Sequence, residues 1–239
     1  ATIPMVNTSS KLAAKSILHA AAIDTPAWYP NPNDSTSLRF PCRCIVKSVW
    51  EEASVGLDDS AIVDVTSRET LDAIITQRLP RLGGEAFAEE FIAGREFNLS
   101  IVAAPDGPRL LPPAEIEFVD YPPEKPRIVG YSAKWDDTSH EFHHTPRRFD
   151  FPAGDQPLLS KLSEIARECW RIFNLSGYAR VDFRVDERGR PWLLEINANP
   201  CLSADAGFMA AAGRASLDLR QVVDWLIDDA LARNVKPEL

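Results

Sequence analysis

Apolar and polar positions follow two periods along the chain, and the switches between them mark its elements. Residues 9–24, SSKLAAKSILHAAAID, set Leu12, Ile17 and Leu18 on one side at helical spacing, which predicts a helix starting at Ser9 or Ser10. The Pro/Asn/Ser-rich run 25–37 is a connector, FPCRCIVKSVW (40–50) a strand, and EEASVGLDDS (51–60) a loop. Thr66 and Glu69 have capping-box spacing ahead of a helix over 66–79. EAFAEEFI and EFNLSIVAA are strands joined by the short Ala93–Arg95 connection. The stretch 105–157 is turn-rich, with short strands and an excursion around SAKWDDTSHEFHHTPRR. A helix over 157–174 is stopped by Gly177, two strands follow, and a last helix over 216–232 carries Leu219, Val222, Val223, Leu226 and Ala230 on its buried stripe.

These elements mix without a steady βαβ rhythm, and no repeat is present. The fold class is therefore α+β, in two lobes meeting near Phe91–Gly94, which divides the chain into 1–92 and 93–239. The length of 239 residues and 45% hydrophobic content suffice for a real core. A net charge of −9 argues against nucleic acid or an anionic membrane as partner, because tracking phosphates takes surplus Lys and Arg. Four cysteines without paired CxxC spacing fit neither a zinc site nor a disulfide framework and point to a reducing cytoplasm. No apolar run reaches the roughly 20 residues of a spanning helix. Ala1 rather than Met opens the chain, as in a piece of a longer protein with something upstream.

The stretch YARVDFRVDERGRPWLLEINANP (178–200) holds the sharpest chemistry. Antiparallel pairing about a tight turn at Arg188–Gly189 sets Asp182 opposite Glu195 and Arg180 opposite Asn197, all four side chains on one face. Val181, Phe183, Leu194 and Ile196 then share the apolar face. Directly opposed acids repel, so a cation belongs between them. Two carboxylates and an amide oxygen form a hard ligand set suited to Mg²⁺, with Mn²⁺ as an alternative, and Arg180 beside them suits an anionic or transition-state oxygen. The competing interpretation is a solvated face of alternating acids and arginines. The apolar flank Trp192–Leu194 favours the metal site.

Lys47, inside an apolar strand, is either snorkelling from an edge or aimed at a phosphate. The following loop offers Ser54 and Gly56 as a phosphate flap. Lys134, among aromatics, and Lys11, on the first helix, are further candidates beside the plain reading of surface lysines. In AEEFIAGREF, a strand leading into a hinge can present the backbone of Glu90, Phe91 and Ile92 to a purine edge and an acid to a ribose; a polar strand edge is the plain alternative. Cys42 and Cys44 face the core, and His143 and His144 take no metal.

Together SSKLAAK, IVKSVWEEASVG, EEFIAGREF, YSAKW and the 178–200 stretch, in this order and covering nearly the whole chain, resemble the ATP-grasp superfamily, within it the D-alanine–D-alanine ligase type of carboxylate–amine ligase. The resemblance implies an ATP-grasp fold with nucleotide between two lobes. It implies ATP phosphates on Lys11 and Lys47 under the Ser54 flap, adenine against Glu89 and the backbone of Glu90–Ile92, and ribose on Glu96. Lys134 would lie near the γ-phosphate, Asp182, Glu195 and Asn197 would bind two Mg²⁺, and Arg180 would stabilise the transferring phosphoryl group. It further implies an acylphosphate route to an amide, small amino acids or short peptides as substrates, a homodimer, and a missing N-terminal domain. The sequence departs from the family at the flap, where Glu52 and Ala53 replace Gly and Ser, and at Asn199-Pro200-Cys201, where the family has Asn-Pro-Gly ahead of the acceptor loop. Two rival functions remain: a nucleotide-binding module without catalysis, and an enzyme passing the acyl group to a thiol or other nucleophile.

Overall fold

The computed structural model describes residues 2–30, 37–51 and 54–234. The middle of the 25–37 connector and the flap residues Glu52 and Ala53 lie outside the described residues. The elements in chain order begin with helices α1 (Thr2–Ser9) and α2 (Lys11–Ala20). Strands β1 (Trp28–Tyr29), β2 (Cys42–Ser48) and β3 (Ile62–Val65), helix α3 (Arg68–Arg78) and strand β4 (Ala86–Glu90) follow. Next come β5 (Arg95–Ala104), β6 (Gly107–Leu110), β7 (Ala114–Ile116), the short helices α4 (Tyr131–Trp135) and α5 (His140–His143), and β8 (Arg147–Arg148). Helix α6 (Gln156–Ile172), strands β9 (Tyr178–Val185) and β10 (Pro191–Asn197), and helices α7 (Gly207–Arg214) and α8 (Leu219–Asn234) close the chain.

The strands form two antiparallel sheets. One has the order β1-β4-β2-β3; the other runs β10-β9-β5-β7-β8, with β6 also paired to β5. The chain passes from the first sheet to the second between Glu90 and Arg95. Gly94 sits in that passage with φ +138°, and a Cβ there would lie 2.0 Å from the Val185 carbonyl oxygen, so only glycine lets the passage press on the end of β9. The six-stranded sheet packs Phe97, Leu99, Ile101, Val181, Phe183 and Ile196 against α6 through Leu162, Ala166 and Cys169. Helix α2, assigned from sequence to the first lobe, adds Ala14 and Leu18 to this second-sheet core. Among the described residues, no helix is long and apolar enough to cross a membrane.

Several local expectations change. The α3 cap is Ser67, one residue past Thr66: its hydroxyl accepts the Thr70 N–H at 3.3 Å, so the Thr66/Glu69 box does not form. Helix α6 stops before Gly177, because Asn174 takes the left-handed conformation (φ +50°) and the Leu175 N–H closes back on the Trp170 carbonyl at 2.9 Å. Gly177 (φ +67°) instead turns the chain into β9. Four helices were not foreseen: α1, which ends at Ser9, the short α4 and α5 inside the turn-rich stretch, and α7, where the Ala-rich segment buries Phe208, Met209, Ala211 and Ala212. The stripe expected on α8 is rotated. Val222 is buried with Trp225 and Leu226 beside it, whereas Leu219 and Val223 face outward.

Gly94→Ala should lower stability by about 2–4 kcal/mol in chemical denaturation. Gly154→Ala, where nothing lies within 4 Å of the added Cβ, is the neutral control. Equal midpoints for the two variants would contradict the close approach.

Candidate active site

Strands β9 and β10 bring the acids together by a route that a tight turn does not give. The turn spans residues 186–190, so next to it Trp192 pairs with Arg184 and Leu193 with Phe183. A bulge between Leu193 and Glu195 then shifts the register by one, and beyond it Asp182 faces Glu195 and Arg180 faces Asn197, as expected. The bulge also corrects one side-chain placement. Leu193 occupies the apolar face with Val181, Phe183 and Ile196, while Leu194 joins Glu195 on the open side.

That open side is the floor of a cleft that opens to solvent. The cleft gathers Asp182 and Glu195 with Lys47, Ser54, Glu89, Glu90, Phe91, Ile92, Glu96 and Lys134. Ile45, Leu57, Ile128 and Leu194 give it apolar walls. Lys11, Arg180 and Asn197 do not line it. Lys11 is buried in α2 and donates to the Glu51 carbonyl at 2.8 Å, just ahead of the flap.

Each side chain has a definite setting. Arg180 grips Asp182 with two bonds of 2.7 and 2.8 Å, and the Asn98 amide, opposite Asp182 on β5, donates to the same carboxylate at 2.8 Å. Burial would lower the Arg180 pKa, but the Asp182 carboxylate more than offsets it and holds the guanidinium firmly charged. The Asn197 side-chain oxygen accepts the Asn199 N–H at 2.8 Å, which fixes the amide. Glu195 is half-buried and has neither hydrogen bond nor ion pair among the described residues. A carboxylate so placed, opposite a second one and beside a carboxamide oxygen, fits a hard divalent cation. No trio of His, Cys, Asp and Glu among the described residues is grouped to hold a metal, so the site offers two carboxylates and an amide. Lys134 reaches the cluster from α4. Burial first, then the Arg180 charge, lower its pKa, against the opposing pull of Glu195 and Asp182.

The flap is docked rather than free at its described end. Ser54 (φ +63°) donates to the Val129 carbonyl at 2.9 Å, and the Leu57 carbonyl accepts the Tyr131 N–H at 2.8 Å. At the end of β4, the Glu90 and Phe91 N–H groups are committed to the carbonyls of Ala27 (2.8 Å) and Arg43 (3.0 Å), whereas the Ile92 N–H has no partner among the described residues. Glu96 pairs with Arg184 at 2.9 Å. Glu89, 1% exposed, lies between Lys47 (2.5 Å) and Lys15 (2.6 Å). Burial alone would raise its carboxyl; the two ammonium groups outweigh it and hold it below the ordinary glutamate range. Lys15, itself buried, also donates to Thr25 Oγ1 at 2.8 Å and the Pro26 carbonyl at 3.0 Å.

Sequence reasoning missed Arg184, Asn98 and Lys15. Arg184 was within reach, since it continues the Arg180–Asp182 alternation by one step. Lys15 follows Lys11 at the i+4 helical spacing, but nothing in its neighbours separates it from a surface lysine. Asn98 needed the knowledge that β5 lies beside β9.

Two antiparallel sheets with a cleft floored by paired acids form the ATP-grasp fold. The family model described as D-ala D-ala ligase C-terminus matches residues 23–228, and the chain belongs to that family. It is 29% identical to the D-alanine--D-alanine ligase of Methylococcus capsulatus over 93% of this chain and 66% of that protein. It is 27% identical to the uncharacterized protein y4sG of Sinorhizobium fredii, over 95% of this chain and 63% of that one. Among solved structures it superposes on the D-alanine--D-alanine ligase of Bacillus anthracis complexed with ATP, with a TM-score of 0.69, 20% identity and coverage of 97% of this chain and 68% of that one. The chain thus spans less than two thirds of the length of those two curated relatives.

Glu89→Gln should destabilise the protein at pH 7 by about 3 kcal/mol, because two lysines lose their counter-charge. A carboxyl lowered in the folded state stabilises above its unfolded value, near 4.5, and that stability is lost as pH falls through the lower folded value. The gap between wild type and Glu89→Gln, measured by urea midpoints, should therefore narrow below pH 4.5; a constant gap would contradict the ionised pairing.

Proposed function

We propose that this chain is the nucleotide- and metal-binding part of an ATP-dependent carboxylate–amine ligase that works through an acylphosphate. The observation that carries the proposal is the half-buried Glu195 carboxylate, without a hydrogen bond or close ion pair among the described residues and directly across the strand pair from Asp182. Asp182, Glu195 and the Asn197 side-chain oxygen would hold Mg²⁺ or Mn²⁺, which when bound neutralises nucleotide phosphates.

The remaining residues position the reactants. The Ile92 N–H, open at the edge of β4, serves a purine ring nitrogen, and Ile45, Leu57 and Ile128 enclose the ring faces. Glu96, oriented by Arg184, takes ribose hydroxyls. Lys47 and Lys134 face the phosphates, and the desolvated Lys134 ammonium gains a further anion there. Lys11 and Ser54 hold the two ends of the flap over them. Arg180, braced by Asp182, keeps N–H capacity for the oxygens of the group in transfer.

In the first step a substrate carboxylate oxygen attacks the γ-phosphorus and ADP leaves. In the second, an amine nitrogen attacks the acylphosphate carbonyl, inorganic phosphate leaves and the nitrogen loses a proton. Positioning and charge neutralisation supply most of the rate enhancement of such a transfer. Small amino acids and short peptides are the substrate class, in line with relatives named D-alanine--D-alanine ligases.

The test is acceptor-dependent ADP release by the full-length protein with Mg²⁺ across pairs of amino acids and dipeptides, with the amide product identified by mass spectrometry. Asp182→Asn and Glu195→Gln should each lower that rate roughly 100-fold or more. ADP release that no amine stimulates, or variants that turn over like wild type, would contradict the proposal.

A further inference from the structure

Strands β9 and β10 lead out of the nucleotide cleft. Asp182 and Glu195 line it, and Arg180 and Asn197, two residues further along each strand, do not. At about 3.3 Å per residue, that step carries Arg180 and Asn197 roughly 6–7 Å beyond the acids. The far side, where the partner of the phosphoryl group must enter, is bounded by the 198–206 loop and by Arg147 of β8.

The two arginines of β8 have different surroundings. Arg148 is tied to Glu115 and Glu117. Arg147 makes no close ion pair among the described residues; its Nη1 donates to the Asp205 backbone carbonyl at 3.2 Å, and the Asp205 carboxyl, turned to Ser203, acts on it as a counter-charge from further off. The Arg180 guanidinium is close enough to repel it. Arg180 already has a counter-charge in Asp182, whereas the repulsion Arg147 feels from Arg180 outweighs the pull of Asp205, so Arg147 is the less compensated cation on this side. Gly207 lets the guanidinium lie close to the start of α7, since a Cβ there would come 3.2 Å from the Arg147 Nε and 3.7 Å from Nη2, and the Arg147 side chain is exposed to solvent. A guanidinium with free N–H groups and an open approach is suited to bidentate capture of a carboxylate.

We propose that Arg147 is a specificity residue that holds the non-reacting carboxylate of the amine acceptor, so that the site selects amino acids or peptides with a free carboxylate over simple amines. This assignment rests on the ligase reading above. Lys47 and Lys134 line the cleft and Arg147 does not, so on that reading the nucleotide phosphates do not compete for it.

The test uses full-length protein and compares each amino-acid acceptor that supports turnover with its carboxamide, in wild type, Arg147→Ala and Arg147→Lys. Wild type should favour the free acid at least tenfold in kcat/KM. Arg147→Ala should raise the acceptor KM tenfold or more, with kcat and the KM for ATP within about twofold of wild type and the carboxamide unaffected. Arg147→Lys should recover part of the loss. If wild type makes amide product but Arg147→Ala leaves the acid KM unchanged, or changes acid and carboxamide alike, the role of Arg147 is overturned while the ligase reading stands. If wild type makes no amide with any acceptor, the ligase reading fails and this assignment falls with it.

Discussion

Two carboxylates held face to face across a strand pair set the terms for the rest of the molecule. Asp182 and Glu195 repel, and the protein offsets only part of the problem: Arg180 and Asn98 satisfy Asp182, and Glu195 is left without a hydrogen bond or close ion pair among the described residues. The bulge at Leu193–Glu195 is what makes them face. Without it, the longer turn would leave the strands one residue out of register and send one acid into the apolar face, where Leu193 now packs. The cost of the arrangement is local, because the apolar side of the same hairpin is anchored in the main core by Val181, Phe183 and Ile196.

The first sheet contributes a second charge device. Glu89 is sunk between Lys15 and Lys47, which draws a helix lysine and a strand lysine onto one carboxylate at the end of β4. Lys47 is thereby fixed at the cleft wall, while Lys15, near Thr25 and Pro26, ties α2 to the connector. The described end of the flap is held by Ser54 to Val129 and by Leu57 to Tyr131. Gly130 allows that last contact, since a Cβ there would come within 2.7 Å of the Leu57 carbonyl oxygen.

Much of this was legible in the sequence because strand alternation and charge are local signals. The Asp182/Glu195 and Arg180/Asn197 pairings, the β2 lysine and the β4–β5 junction all followed from residues within a short stretch. The pairing was right for an incomplete reason: a longer turn and a bulge together gave the register that a tight turn alone would also give, and only Leu194 betrays the difference. What stayed hidden depends on long-range neighbours. Asn98 meets Asp182 only because β5 lies between β7 and β9, and Lys15 is buried only because α2 packs near Trp28 and Glu89. The rotation of α8 likewise turns on Val222, which packs against Leu217 and Phe208 rather than with the stripe its own periodicity suggests.

Anomalous diffraction from crystals grown with Mn²⁺ and ADP tests the central claim most directly. A manganese peak about 2.0–2.3 Å from oxygens of both Asp182 and Glu195, with the Asn197 amide oxygen in the same coordination sphere, is the expected result. Nucleotide in the cleft with manganese bound elsewhere, or with Glu195 still uncoordinated, would contradict it.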